Sequence, residues 1–216
     1  MPQIFHPSAN SAARISIVLG LAGLGGLAWA GATLSTSGYT TGQGVVLDQP
    51  VPFSHDHHTA GLGIHCGYCH TSVEKAAFAG IPPIETCMNC HRQIWTNAAL
   101  LEPVREAYRT GVPLQWERVH DLPDYVYFNH SVHVAKGIGC ESCHGRVDRM
   151  PLIKQAESLT MQWCLDCHNA PERFVRPREE VYTFGWQPPE PQAELGPRLV
   201  EEYGIASRTS CSVCHR

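Results

Sequence analysis

The sequence predicts a mostly irregular chain with short α-helices, wound around bound groups in place of an apolar core and preceded by one N-terminal transmembrane helix. Three observations lead there. All ten cysteines fall in five Cys-x-x-Cys pairs, and each pair is followed at once by a histidine. Residues 15–34 form an uncharged run long enough to span a bilayer. The polypeptide beyond that run amounts to about 36 residues per Cys-x-x-Cys-His motif, too little to build an ordinary core of its own.

The five motifs are Cys66/Cys69/His70, Cys87/Cys90/His91, Cys140/Cys143/His144, Cys164/Cys167/His168 and Cys211/Cys214/His215. In such a motif the two thiols take up the vinyl groups of a haem as thioethers, and the adjacent imidazole reaches the iron from the same face. Five covalently attached c-type haems follow, packed as the core of a multihaem cytochrome c fold. A disulfide framework would use varied spacings and no trailing histidine, and a tetrahedral zinc ribbon has no use for that histidine either. A net charge of −4 with no basic stripe disfavours nucleic acid. Haem attachment to c-type proteins takes place outside the cytoplasmic membrane, so the motifs imply a periplasmic or extracytoplasmic haem domain.

Residues 1–14 are polar and carry one cation, Arg14. The run 15–34, ISIVLGLAGLGGLAWAGATL, exceeds the apolar stretch of a signal peptide and is expected to remain as an anchor. Arg14 before the helix and Asp48 and Asp56 after it place the N-terminus in the cytoplasm. Gly20, Gly23, Gly26, Ala22, Ala28 and Ala30 would let other membrane helices approach closely. Residues 35–52 are rich in Ser, Thr and Gly and read as a linker.

At Phe53 a unit begins, FSHDHHTAGLGIHCGYCH, that returns from Phe128 as FNHSVHVAKGIGCESCH with one residue fewer. Each copy runs on to a second motif, so residues 53–127 hold the first two-haem unit and a connector, and 128–170 hold the second unit. Within the connector, Trp95–Arg109 has weak helical periodicity that Gly111 and Pro113 end. Residues 171–216 begin with a Pro-rich strap, expected to run extended over the surface, then a short helix around Leu199–Tyr203 and the fifth motif.

Five irons need five further axial ligands. The repeat aligns His55 with His130 and His58 with His133. Histidines three apart occupy neighbouring helix faces and suit two different haems. His55 and His130 are assigned to the first haem of their own units, and His58 and His133 to neighbouring haems left open. His120 completes the count, while His57 and His65 lack counterparts in the repeat. Met161, three residues before Cys164, is the main competitor, with Met150 behind it, since a thioether ligand would raise one haem's potential. With both axial positions filled no substrate reaches the iron, and the chemistry left is electron conduction, with no catalytic residue.

The run FNHSVH ahead of Cys140 resembles class III multihaem cytochromes c, in which Phe-x-His-x-x-His supplies ligands to two haems. More specifically, WERVHDLPDYVYFNHSVH and SLTMQWCLDCH, with one helix and five haems, are similar to the pentahaem cytochrome of bacterial alternative complex III, a quinol:acceptor oxidoreductase. That resemblance implies an iron-sulfur/molybdopterin-like protein, NrfD-like multi-span quinol-binding proteins and a mono-haem cytochrome c as partners. It implies a soluble cytochrome, copper protein or oxidase as acceptor. Two readings stay open beside it: a membrane-anchored quinol dehydrogenase of the NapC/NrfH-like kind, and a cytochrome component of a quinone reductase complex.

Overall fold

The computed structural model describes residues 4–215, divided into two units, Met1–Gly42 and Gln43–Arg216. In the first unit, helix α1 covers Ser8–Ser35, starting seven residues before the expected apolar run because SANSAAR holds no helix breaker. At 1.5 Å per residue it measures about 42 Å, and it is long and apolar enough to cross a membrane. Near its end Thr33, Ser35 and Thr36 donate their hydroxyls to carbonyls one turn back, so these polar groups are satisfied within the helix. Helix α2, Gly38–Thr41, stops at Gly42, whose φ of 74° ends it in the left-handed conformation.

The second unit is built from short helices: α3 Cys66–Cys69, α4 Ile84–His91, α5 Glu102–Thr110, α6 His130–Ala135, α7 Glu141–His144, α8 Met161–Asn169, α9 Gln192–Glu202 and α10 Cys211–Cys214. Among the described residues no sheet forms; Val46–Lys154, Val126–His215 and Ile138–Val175 make isolated antiparallel bridges. Every Cys-x-x-Cys lies on a helical turn, which sets its two thiols on one face.

The extra residue of the first repeat is taken up as a π-helix. Asp56–Gly61 is π-helical where the second copy has the α-helix α6, and a π turn absorbs one added residue without shifting what flanks it. Both copies then close alike, Ile64 N–H donating to the His58 carbonyl and Ile138 N–H to the His133 carbonyl.

The two repeats exchange contacts as the members of a two-fold pair do. Asp56 N–H donates to the Met150 carbonyl and Ser131 N–H to the Ala76 carbonyl, each at 3.2 Å. Asp56 and Ser131 are equivalent in the repeat, and Met150 and Ala76 each lie six residues past their motif's histidine. The contact is therefore isologous.

Two small apolar clusters form, the first of them including Met88 from within the second motif. Val51, Met88, Leu101 and Val104 form one, joining α4 to the Val104/Ala107 stripe of α5, which begins after a 3₁₀ turn at Ala99–Leu101 and ends at Gly111. Val175, Leu195, Leu199 and Tyr203 form the other. The Pro-rich segment thus departs from the extended strap read from its composition: Pro191 precedes an eleven-residue helix, α9, that carries Pro197 inside it. Gly196 of that helix presses so closely on the Glu172 backbone that a Cβ would overlap it. The expected linker is likewise held from Gln43 onward. Gly44 N–H donates to the Gln155 carbonyl, and the Gln49 side-chain amide pairs twice with the Glu117 backbone.

Candidate haem-binding sites

The histidines of the repeat are positioned by the phenylalanine that opens it. Phe53 lies flat on His58, centroids 4.3 Å apart, and edge-on to His55 at 4.9 Å. Phe128 does the same to His133 at 4.7 Å and His130 at 4.8 Å. One aromatic ring therefore fixes the angle between two imidazoles in each copy. The period of the repeat marked these phenylalanines as shared, but their role as wedges is seen only in the packed structure.

Backbone carbonyls then fix the tautomers. His58 Nδ1 lies 2.8 Å from the Ser54 carbonyl, His133 Nδ1 2.8 Å from that of Asn129, His130 Nδ1 2.7 Å from that of Ala77, and His70 Nδ1 2.7 Å from that of Gly80. A carbonyl only accepts, so each Nδ1 carries the proton and each Nε2 keeps a free lone pair for a metal. His55 Nδ1 and His91 Nδ1 are buried without a partner.

Imidazoles from the repeat stand opposite motif histidines at one recurring distance. His58 and His91 are 6.3 Å apart between centroids, His133 and His168 6.2 Å, and His130 and His144 6.2 Å. Metal–imidazole bonds of about 2 Å on either side of one ion would separate two ring centroids by roughly 6.2 Å, so each gap is the width of one metal ion held between two rings. Among the described residues no three His, Cys, Asp or Glu gather into a protein-only metal site, and all ten cysteines are unbridged. Two opposed imidazoles with unpaired thiols alongside fit a haem, whose porphyrin supplies the remaining ligands.

Burial lowers the pKa of His55 to about 4, and His70, His58 and His120 in turn oppose its protonation further. His144 is lower still, at about 3, through burial first and then His120, His130, His70 and His55. His55, His70, His120, His130 and His144 thus lie close enough to influence one another. His120 touches His144 directly, its Nε2 3.2 Å from His144 Nδ1. His57 packs 6.3 Å from Trp95, and His65 caps α3 while resting 4.5 Å from Tyr182. The ring on His215 is that of Tyr125, at 5.9 Å and 30°.

The thiols show which motifs are neighbours. Burial raises Cys87, and Cys69 adds to it. Burial pushes Cys140 up to about 12, with Cys66 next. Cys143 is pushed up to about 12 by burial, then by Cys167 and Cys164; Cys164 is raised by burial, then by Cys214. At Cys140 the fold is locked by Arg176, which bridges Glu141 at 2.9 Å and lies over Trp186. A Cβ on Gly139 would overlap that guanidinium.

Two thiols differ from the rest in exposure. Cys90, the second thiol of motif 2, and Cys211, the first of motif 5, are exposed, whereas the other eight are half-buried. The physical reason is position. Cys87 of motif 2 neighbours Cys69 of motif 1, and Cys164 of motif 4 neighbours Cys214 of motif 5. Cys90 is the last residue but one of α4, and the packed side of that helix is the one bearing Met88. Cys90 therefore stays on a helical turn with Cys87, but at the protein surface and not in its interior.

Residues 126–216 match the family model for cytochrome c7 and related cytochrome c. Over 98 residues the chain is 33% identical to the multihaem cytochrome c subunit of menaquinone reductase from Nitratidesulfovibrio vulgaris, a match covering 45% of this chain and 46% of that protein. The chain thus spans about half the length of the curated relative it matches. Both comparisons point the same way: the segment from residue 126 onward is similar to multihaem cytochromes c.

Proposed function

We propose that this chain is a membrane-anchored pentahaem cytochrome c that relays electrons for a quinone-coupled oxidoreductase complex and has no substrate site of its own. The observation that carries the reading is the recurrence of opposed imidazole pairs 6.2–6.3 Å apart. In this reading His70, His91, His144, His168 and His215 hold the irons from the motif side. His58 faces His91, His133 faces His168, His130 faces His144 and His55 serves His70. The ten motif cysteines, the exposed Cys90 and Cys211 included, carry the thioethers.

When bound, haem supplies one-electron iron chemistry. The chain's residues hold both axial positions with imidazole, exclude exogenous ligands and set the spacing between sites. The thiol neighbourhoods support an order in space of motif 2, 1, 3, 4, 5, with motifs 1 and 3 meeting at the two-fold contact. Helix α1 serves as the single-pass anchor, N-terminus cytoplasmic and haem domain periplasmic.

The complex we infer is alternative complex III, with an iron-sulfur/molybdopterin-like protein, NrfD-like multi-span proteins and a mono-haem cytochrome beside this chain. Electrons from quinol pass through the iron-sulfur partner to this chain and on to a soluble cytochrome, copper protein or oxidase. The menaquinone reductase relative favours a second reading, a cytochrome component of a quinone reductase complex. Mild detergent extraction tests both: co-purification with multi-span proteins and a large iron-sulfur protein supports a complex, and the direction of quinone chemistry separates the two. Robust quinol oxidation by the isolated chain would instead make it a NapC/NrfH-like dehydrogenase.

A further inference from the structure

We propose that Met161, and not a histidine, closes the fifth iron opposite His215, making the last haem of the row a His/Met site. This rests on the pentahaem reading above.

The placement of α10 points there. Ser207 Oγ donates to the His168 carbonyl at the end of α8, at 2.9 Å, and further along the same segment Cys214 neighbours Cys164. The run 207–215 therefore lies along α8 toward its start. Met161 is the first residue of α8, one turn before Cys164. A helical side chain leans toward the N-terminus, so the Met161 thioether projects beyond the start of α8, the end of that helix nearer the Cys164–Cys214 pair.

The methionines differ in availability. Met88 and Met150 are 8% exposed and packed, whereas Met161 is 64% exposed although it is apolar and sits in a folded helix. A porphyrin against α8 accounts for that bare surface.

The imidazoles are meanwhile committed elsewhere. His120 lies against His144, where its Nε2 can accept from the proximal Nδ1 as the Gly80 carbonyl does for His70. His57 is beside Trp95 and His65 beside Tyr182. Among the described residues no histidine ring packs on His215; Tyr125 does.

A thioether favours reduced iron and raises the potential above that of bis-imidazole sites.

The test uses the full-length haem-loaded protein in detergent. Oxidised wild type is expected to show a thioether-to-iron charge-transfer band equivalent to one haem in five. Met161→His abolishes the band with five haems retained and lowers one midpoint potential. Met161→Leu leaves one haem open to carbon monoxide, and His120→Gln keeps the band. Five attached haems with no such band in wild type, or a band that survives Met161→His, overturns the assignment and leaves the relay reading intact. Fewer than five attached haems overturns the pentahaem reading itself.

Discussion

His133 and His168 face each other with centroids 6.2 Å apart and planes turned by 75°, and the equivalent pair of the other repeat, His58 and His91, does so at 6.3 Å and 66°. The second histidine of each Phe-x-His-x-x-His thus reaches past its own first motif to the second one. The two motifs of each repeat are tied together by this crossing.

Removing one distal imidazole should open one iron. In reduced holoprotein, His133→Gly is expected to bind about one equivalent of carbon monoxide per chain, because one axial position loses its donor. Wild type should bind none; a full equivalent on wild type would mean that a coordination site is already vacant.

The phenylalanine wedges should matter more to ligand orientation than to haem loading. Phe128→Leu removes the stacked contact with His133, and about 1 kcal/mol of stability with it. Thermal unfolding should show the loss while mass spectrometry still counts five haems; loss of the fourth haem would make Phe128 a loading residue instead.

The Arg176–Glu141 pair is nearly buried, with side-chain exposures of 8% and 16%. Arg176→Met leaves Glu141 without its partner and should cost about 3–5 kcal/mol, whereas Arg176→Met with Glu141→Gln recovers most of it. A double-mutant cycle in denaturant melts measures the coupling, and additive losses would show that the two side chains do not act as a pair.

Much of the site was legible in the sequence because its chemistry is local. Cys-x-x-Cys-His must be contiguous to grip one haem, and the Phe-x-His-x-x-His repeat shows itself by self-comparison. What the sequence hid depends on distant packing. His120 carries no local sign that it would lie on His144. Cys90 reads like every other motif thiol, and only the assembled fold puts it at the surface. Nor does the added residue between Phe53 and Cys66 announce itself as a π-helix. Pro191 and Pro197 pointed to an extended segment, yet the burial of Leu195 and Leu199 against Val175 outweighs the helix-breaking tendency of Pro197.

Gly196 offers a check on that packing. Gly196→Ala forces a methyl into the Glu172 backbone and should cost about 1–3 kcal/mol through overpacking. An unchanged melting temperature would mean that α9 stands off from residues 171–173.

The paired hydrogen bonds Asp56 to Met150 and Ser131 to Ala76 carry a consequence for how such a chain comes into being. Either half synthesised by itself would leave its ligand-bearing turn leaning on nothing, and its natural remedy would be a second copy of itself. Within one polypeptide the two repeats lean on each other as two copies of a single unit would. The extra residue at the π turn leaves that exchange of contacts in place.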